Sequence, residues 1–148
     1  LHFLPVKEVS LLHANSHRVP MQPLKPGDNP LADVRGELFD IRAELELGDA
    51  SEVGLRVRGT AITYESKTQE LVCLNRRTPL KSTDGRIHIQ ILADRTSLEI
   101  FAGDGMVYMP MAATPKDDDR SLGVFALGDT ATIRSIEVHE LRSIWSRP

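Results

Sequence analysis

Cysteine and aromatic residues are scarce in this chain, and their scarcity excludes several classes of protein. The 148 residues include one cysteine, Cys73, so an internal disulfide is impossible. Its position within an apolar run predicts a buried free thiol. Phenylalanine, tyrosine and tryptophan make up only 5% of the chain. Tyr64, Tyr108 and Trp145 are too widely spaced to predict an aromatic strip for a long, flat polysaccharide.

Long apolar runs and a strong excess of charge are also lacking. No run approaches the roughly 18 apolar residues that cross a bilayer, and the N-terminus lacks the basic-then-apolar pattern of a signal peptide. The formal net charge is −3 and the basic residues are scattered singly. We therefore expect neither a membrane nor a nucleic-acid partner. The chain begins at Leu1, which predicts a processed protein or a piece of a longer one.

The common catalytic and metal-binding motifs are missing as well. There is no G-x-S-x-G turn for a nucleophile and no glycine-rich loop that leads into a helix for a nucleotide. His13 and His17 are four residues apart, but no glutamate lies between them and nearby prolines oppose a helix, so we do not expect a zinc site. The run from Asp117 to Asp119 lacks the spaced oxygen ligands of a calcium loop and predicts a solvated acidic loop. We predict no metal and no cofactor.

Alternating polar and apolar residues dominate the chain after residue 35. The alternation and the turn signals predict about nine or ten short strands with almost no helical period, which favours an all-β, antiparallel two-sheet β-sandwich of the concanavalin/lectin-like jelly-roll kind. A barrel is the alternative. Residues 1–35 are interrupted by prolines, and we interpret them as a lead-in linker wrapped on a β-sandwich domain of residues 36–148. The segments with the clearest strand pattern are 37–47, 53–57, 60–65, 70–75, 86–94, 97–101, 106–111, 122–126 and 131–141.

The segment from Arg86 to Gly105 predicts a β-hairpin followed by a further turn. If Arg95 and Thr96 form the turn, Leu98 lies opposite Ala93 and gives the hairpin one wholly apolar face. The same register places Ile100 opposite Ile91. The other face then carries Asp94, Ser97, Glu99 and Phe101.

This second face contains the candidate binding residues. Asp94, Arg95 and Glu99 are expected to lie close together, and carboxylates beside a guanidinium can hold the vicinal hydroxyls of a sugar. On residue types alone, a surface ion pair that fixes the turn is the favoured interpretation. Phe101 is either a stacking platform for a sugar or part of a second apolar layer, and we favour the second.

The hairpin also carries a resemblance to a known family. Residues 91–105, ILADRTSLEIFAGDG, resemble the signature LVDRSSVEVFxNDG of the C-terminal β-sandwich of glycoside hydrolase family 32, which includes invertases, levanases and inulinases. The flanking segments resemble the exit from the family's catalytic propeller, its first two sandwich strands and its closing strand. These segments are Pro5 to Glu8, Gly36 to Ile41, Ser51 to Val57 and Ile133 to Leu141.

The catalytic motifs of that family do not occur in the chain. Its propeller uses N-D-P-N-G, R-D-P and E-C motifs, whereas here residues 28–30 read Asp-Asn-Pro and Cys73 follows a valine. A retaining glycosidase also needs two carboxylates about 5 Å apart across the scissile bond. On an open sheet Asp94 and Glu99 would have no cleft that excludes water, so we predict that this chain is not catalytic by itself.

The resemblance implies two functions, and we favour the first. The chain would be a non-catalytic sandwich that stabilises or docks on the propeller of an enzyme acting on β-fructosides, and an exposed apolar patch would then be expected. Alternatively, it would bind terminal fructosyl units of levan or inulin through Asp94, Arg95 and Glu99, with Glu37 and Arg58 as outer contacts. Self-association through an unpaired sheet edge is a third, weaker interpretation. We expect a secreted or periplasmic parent rather than a cytoplasmic one.

Overall fold

The chain folds into two antiparallel β-sheets, as the computed structural model of residues 13–141 describes it. The predicted two-sheet β-sandwich is therefore confirmed. No helix that could span a membrane occurs within this described part of the chain. The strands of residues 13–141 are β1 (His13–Val19), β2 (Gln22–Leu24), β3 (Phe39–Glu46), β4 (Glu52–Val57), β5 (Thr60–Glu65), β6 (Glu70–Cys73), β7 (Arg76–Pro79), β8 (Arg86–Ala93), β9 (Ser97–Ala102), β10 (Val107–Ala112), β11 (Leu122–Leu127) and β12 (Ala131–Leu141).

The larger sheet contains seven strands and the smaller one five. The order in the larger sheet is β1-β12-β3-β8-β9-β10, and β2 also pairs with β12. The order in the smaller sheet is β11-β4-β5-β6-β7. Strand β3 shows how the core forms, since Phe39, Ile41 and Leu45 on its inner face are fully buried while Arg42 on its outer face is exposed. Period-two alternation thus gives each sheet one apolar face to bury.

The central hairpin forms in the predicted register. Ala93 pairs with Leu98 and Ile91 pairs with Ile100, and the N–H of Asp94 donates to the carbonyl oxygen of Ser97 at 2.9 Å. The turn therefore falls at Arg95 and Thr96. All of the inward residues of β8 and β9 are buried, so a one-residue slip of the pairing, which would turn one strand's apolar side chains outward, is opposed.

Two aromatic residues determine the packing of the smaller sheet. Tyr64 on β5 is fully buried, and its hydroxyl donates to the carbonyl oxygen of Leu80 at 2.5 Å. The ring of Phe125 on β11 lies across Gly54 of β4, and the guanidinium carbon of Arg56 is 4.3 Å from the centre of that ring. Gly54 therefore provides the space that the ring of Phe125 occupies.

Three strands were not expected from the sequence, and each has little apolar surface to bury. Strands β1 and β2 lie in the segment interpreted as a lead-in linker, yet both pair with β12. Strand β7 is exposed at three of its four residues. Edge strands of this kind form through backbone hydrogen bonds to a neighbour and need no alternating apolar pattern. Residues 1–12 of the segment interpreted as a lead-in linker lie outside the described residues.

The side of the sandwich where the larger sheet ends in β10 and the smaller sheet ends in β7 is poorly suited to pairing with another chain. Pro110 lies in the edge strand β10, and a guanidinium N–H of Arg76 on β7 donates to its carbonyl oxygen at 3.3 Å. Proline and charged side chains on an edge are features that oppose edge-to-edge association. Self-association through this edge is therefore disfavoured.

Candidate functional site

The strand register brings three of the predicted residues to one end of the sandwich. Phe39 pairs with Ala93, and continuing this antiparallel register places Glu37 beside Arg95. Nε of Arg95 lies 3.1 Å from one carboxylate oxygen of Glu37. The turn of the central hairpin is thus tied to the segment that leads into β3. The ion pair of Arg95 is formed with Glu37, whereas the sequence interpretation placed it among Asp94, Arg95 and Glu99.

A second arginine completes this cluster. A guanidinium nitrogen of Arg120 lies 2.8 Å from the other carboxylate oxygen of Glu37. The N–H of Gly36 donates to the carbonyl oxygen of Arg120 at 3.0 Å, which holds the two segments together. We call Glu37, Arg95, Arg120 and the nearby Arg58 the Glu37 cluster.

Arg58 lies behind these exposed side chains and is itself buried, at 6% exposure. Its Nε–H donates to the carbonyl oxygen of Asp119 at 2.7 Å, and a terminal nitrogen donates to that of Lys116 at 3.4 Å. Its other terminal nitrogen, Nη1, has no hydrogen-bond acceptor among the described residues. Arg58 therefore anchors the acidic loop of residues 115–120 against the end of β4.

The arginines keep the Glu37 carboxylate ionised. The pKa of Glu37 is lowered, chiefly by the hydrogen bond from Arg95, while partial burial opposes this and the charges of Arg120 and Arg58 lower it further. The pKa of Asp119 is also lowered, because the hydroxyl and the N–H of Ser121 both donate to it. Neither carboxyl group is suited to act as a general acid, which needs a raised pKa.

Replacing Glu37 with glutamine should remove a pH-dependent contribution to stability. Because the pKa of Glu37 is lower in the folded chain, its contribution is present above its ordinary pKa of 4.5 and is lost as pH falls through the folded value. We expect the free energy of unfolding of the wild type to exceed that of Glu37→Gln at pH 7, and the difference to shrink steadily below pH 4.5. Urea unfolding at several pH values measures it, and a difference that does not change with pH would show that the two arginines do not stabilise the ionised carboxylate.

The other two predicted residues do not join Glu37. Asp94 is exposed, and its carboxylate accepts the N–H of Arg95 at 2.7 Å. Glu99 instead accepts a hydrogen bond from the hydroxyl of Tyr108 at 2.8 Å. The rings of Tyr108 and Phe101 stack with their centres 5.0 Å apart, and Phe101 is buried. The expected grouping of Asp94, Arg95 and Glu99 is thus divided, and a sugar-binding role for these residues stays a prediction.

A depression on the outer face of the larger sheet was not anticipated. Its volume is about 320 Å³, and it lies over the neighbouring strands β12, β3, β8 and β9. The side chains that line it include Arg42, Glu44, His88, Gln90, Phe101 and Ser135. The strand periodicity placed most of these residues on one polar face, but it could not show that neighbouring strands bring them into one depression.

The described residues offer no arrangement for a bound metal or a reactive thiol. Residues 13–141 contain no group of three or more histidine, cysteine, aspartate or glutamate side chains that could hold a metal ion. Cys73 is fully buried, as its apolar surroundings predicted, and burial raises the pKa of its thiol to about 11. The thiol is therefore protonated at neutral pH and is a weak nucleophile.

Comparison with known proteins decides the family. The model of the family described as "Glycosyl hydrolases family 32 C terminal" matches residues 8–140. The chain belongs to this family. The match covers most of the chain, including the central hairpin and the Glu37 cluster, and it agrees with the resemblance of residues 91–105.

Curated relatives of this family member are much longer proteins. It is 25% identical over 165 aligned residues to the levanase of Bacillus subtilis (strain 168), covering 95% of this chain and 24% of that protein. It is 28% identical over 169 residues to the levanase of Bacillus sp. (strain L7), covering 98% of this chain and 18% of that protein. The chain thus spans a quarter or less of these relatives.

Solved structures agree with the fold of this glycosyl hydrolase family 32 C-terminal chain. Exo-inulinase from Aspergillus awamori superposes with a TM-score of 0.73 at 17% identity, covering 90% of this chain and 30% of that chain. Fructan 1-exohydrolase IIa from Cichorium intybus gives a TM-score of 0.72 at 13% identity, covering 95% of this chain and 38% of that chain. At these identities the likeness is one of fold alone.

Proposed function

We propose that this chain is the non-catalytic C-terminal domain of an enzyme that hydrolyses fructans or sucrose, and that it docks on and stabilises the catalytic propeller. The observation that carries the proposal is the match of residues 8–140 to a C-terminal unit, in a chain that covers only 24% and 18% of the levanases it matches. A domain that forms so small a part of its relatives has the rest of such a protein as its natural partner.

The chemistry of the described side chains supports a non-catalytic role. Retaining glycoside hydrolysis needs a carboxylate nucleophile and a carboxylic acid about 5 Å apart on either side of the scissile bond. Glu37 and Asp119 have lowered pKa values, so both are held ionised and neither serves as the acid. Glu99 accepts a hydrogen bond from the hydroxyl of Tyr108. These contacts are those of structural ion pairs and hydrogen bonds.

The exposed apolar patch that docking predicts is not found within residues 13–141. The large apolar side chains exposed among the described residues are Met21, Leu74, Met106 and Leu127, and each lies at a different turn or strand end. Singly exposed apolar residues of this kind do not form a patch. Interfaces between domains of one chain are commonly polar, so the lack of a patch within residues 13–141 is compatible with docking.

The Glu37 cluster is the best-equipped polar surface for this role. Arg95 and Arg120 are about half exposed, at 54% and 52% for their side chains, and each uses only part of its guanidinium on Glu37. A guanidinium has five N–H donors, so both keep donors that can reach carbonyl or carboxylate oxygens of a partner domain. Glu37 holds the two arginines in place and thereby lowers the entropic cost of binding.

The experiment compares the whole parent protein with the isolated chain. We expect Arg95→Ala combined with Arg120→Ala to lower the melting temperature of the parent by roughly 2 °C or more beyond its effect on the isolated chain. Within the isolated chain the loss should be small, because exposed ion pairs contribute about 0–1 kcal/mol. The additional fall in melting temperature of the parent measures the contribution of the two arginines to the interface with the catalytic propeller.

Arg77→Ala supplies the matched control for this comparison. Arg77 has a side-chain exposure of 53% and an ion pair of 2.6 Å to Glu65, so it resembles Arg95 in exposure and pairing but lies on the edge of the smaller sheet. Arg77→Ala should change the melting temperature of the parent protein and of the isolated chain by the same amount. If the double variant also lowers both melting temperatures equally, the Glu37 cluster is not the docking surface. If the catalytic and C-terminal parts, produced separately, do not associate, the proposed docking role is wrong.

Binding of fructosyl units is a second candidate function, and one observation favours it. The outer-face depression over β12, β3, β8 and β9 is lined by polar side chains of both charge signs. Neither this depression nor the two others described for the chain is lined by Asp94, Arg95, Glu99, Glu37 or Arg58. If the domain binds fructan, the geometry therefore favours the outer face over the residues predicted from sequence.

A further inference from the structure

Two rows of mostly polar side chains run across the larger sheet and form the floor of the outer-face depression. In the first row Glu137 pairs with Arg42, Arg42 with Gln90, and Gln90 with Phe101, so four neighbouring strands each contribute one residue. In the second row Ser135 pairs with Glu44, and Glu44 with His88. Adjacent strands lie about 4.8 Å apart, which sets the spacing of the side chains within each row.

The first row keeps donors and acceptors that the sheet does not use. Arg42 is half exposed and commits one terminal nitrogen to Asp40 at 3.0 Å, which leaves further N–H groups. The amide nitrogen of Gln90 donates to the same Asp40 at 3.0 Å, which leaves its carbonyl oxygen as an acceptor. Asp40 is fully buried, and these two bonds fix the orientation of Arg42 and Gln90. Both groups are thus pre-organised at the floor of the depression.

The second row adds a hydroxyl and a carboxylate. Ser135 is exposed, and it lines the depression with a hydroxyl that can donate or accept a hydrogen bond. Nε2 of His88 lies 2.7 Å from one carboxylate oxygen of Glu44. The other oxygen of Glu44 is 3.8 Å from Nε of Arg134, beyond hydrogen-bond distance. Glu44 therefore retains acceptor capacity.

The charges of the two rows select the kind of ligand. Glu44 and Glu137 oppose an anion, whereas Arg42 opposes a cation. A neutral molecule with many hydroxyl groups can accept from Arg42 and donate to Gln90 or Glu44 at the same time. Phe101, backed by the ring of Tyr108, closes the end of the first row with an apolar edge. We propose that this depression binds a neutral saccharide.

The size of the depression fits this ligand class and predicts a length preference. At about 320 Å³ it lies at the lower end of the volumes of small-molecule sites. Glu44, His88 and Asp104 also line a second depression of about 520 Å³, so the two adjoin. A saccharide of several units can extend from the first into the second. We therefore expect a trisaccharide to bind more tightly than a monosaccharide.

Calorimetric titration of the chain with fructose, a levan-type fructose trisaccharide and maltotriose tests the site. The choice of fructose ligands rests on the proposed function in a fructan-hydrolysing enzyme. The inference that the depression binds a saccharide rests on the side chains of the two rows. We expect the levan-type trisaccharide to bind, Arg42→Ala to weaken binding at least tenfold, and Arg77→Ala to leave it unchanged. If maltotriose binds and the two fructose ligands do not, and if Arg42→Ala loses this binding, the saccharide site is supported. The same result would contradict the proposal that the parent is a fructan hydrolase.

A second variant keeps the test decisive if loss of Arg42 unfolds the chain by removing the guanidinium that pairs with the buried Asp40. Ser135→Trp places a large side chain over the depression from an exposed position, so the fold should remain intact by circular dichroism and binding should be abolished. Trisaccharide binding that persists in Ser135→Trp would overturn the proposal, as would the absence of binding by the wild-type chain. Loss of binding in Arg95→Ala, with Arg42→Ala unaffected, would place the site at the Glu37 cluster and also overturn it.

Discussion

Replacing Tyr64 with alanine is expected to lower the free energy of unfolding by about 3–5 kcal/mol. Tyr64 is fully buried and lies in β5 between Val53 of β4 and Leu71 of β6, so its removal leaves a cavity inside the smaller sheet's packed face. The loss is a large share of the roughly 5–15 kcal/mol that stabilises a typical domain. Urea unfolding, with the midpoint compared at constant slope, measures it.

Two further variants separate packing from hydrogen bonding at this position. Tyr64→Phe keeps the ring but leaves the carbonyl oxygen of Leu80 without the hydroxyl donor, and we expect a loss of about 1–3 kcal/mol. Thr63→Ala is the control on the neighbouring, half-buried position, where a change within about 0.5 kcal/mol is expected. If Tyr64→Ala cost no more than Tyr64→Phe, the ring would contribute nothing to the core.

Replacing Gly54 with alanine should destabilise the chain by roughly 3 kcal/mol, although only one methyl group is added. A β-carbon at this position would overlap the carbonyl oxygen of Ile62 and would lie 2.8 Å from the ring of Phe125. The first contact is with backbone of the neighbouring strand, which cannot move without breaking the pairing of β4 and β5. Thermal and urea unfolding both measure the loss.

The backbone contact makes a specific double variant informative. Adding Phe125→Ala to Gly54→Ala removes the ring but not the Ile62 carbonyl, so stability should not be restored. Gly123→Ala is the matched control, because a β-carbon there would meet only the side chain of Asn29, at 3.2 Å. It should cost much less than Gly54→Ala. Full rescue by the double variant would mean that the ring alone causes the strain.

The sequence predicts the strands that bury a regular apolar face. Ile91 and Ile100 fall on the same face when Arg95 and Thr96 form the turn, and a one-residue slip of the pairing would turn the apolar side chains of one strand outward. Strands β1 and β7 escaped prediction because they lie at sheet edges and bury little. In β7 the two arginines are exposed, so the pattern of apolar residues carries no signal there.

The candidate site could be predicted only in part, for a related reason. Glu37 and Arg95 were both recognised as candidates, but their pairing depends on which strand lies beside β8. That neighbour is β3, and the choice between neighbours is made by the long-range packing of the sheet. The outer-face depression depends on the order of four strands, two of which, β12 and β3, are distant in sequence.

The position of β12 has a consequence for the order in which the domain is made. β12 lies between β1 and β3 in the larger sheet, so both strands wait for a partner that is synthesised after them. Until β12 leaves the ribosome, the N–H and C=O groups along one side of β3 are without their final partners. The larger sheet is therefore completed only after the other strands of residues 13–141 have been made. A nascent chain halted before β12 would expose an incomplete sheet to chaperones and to aggregation.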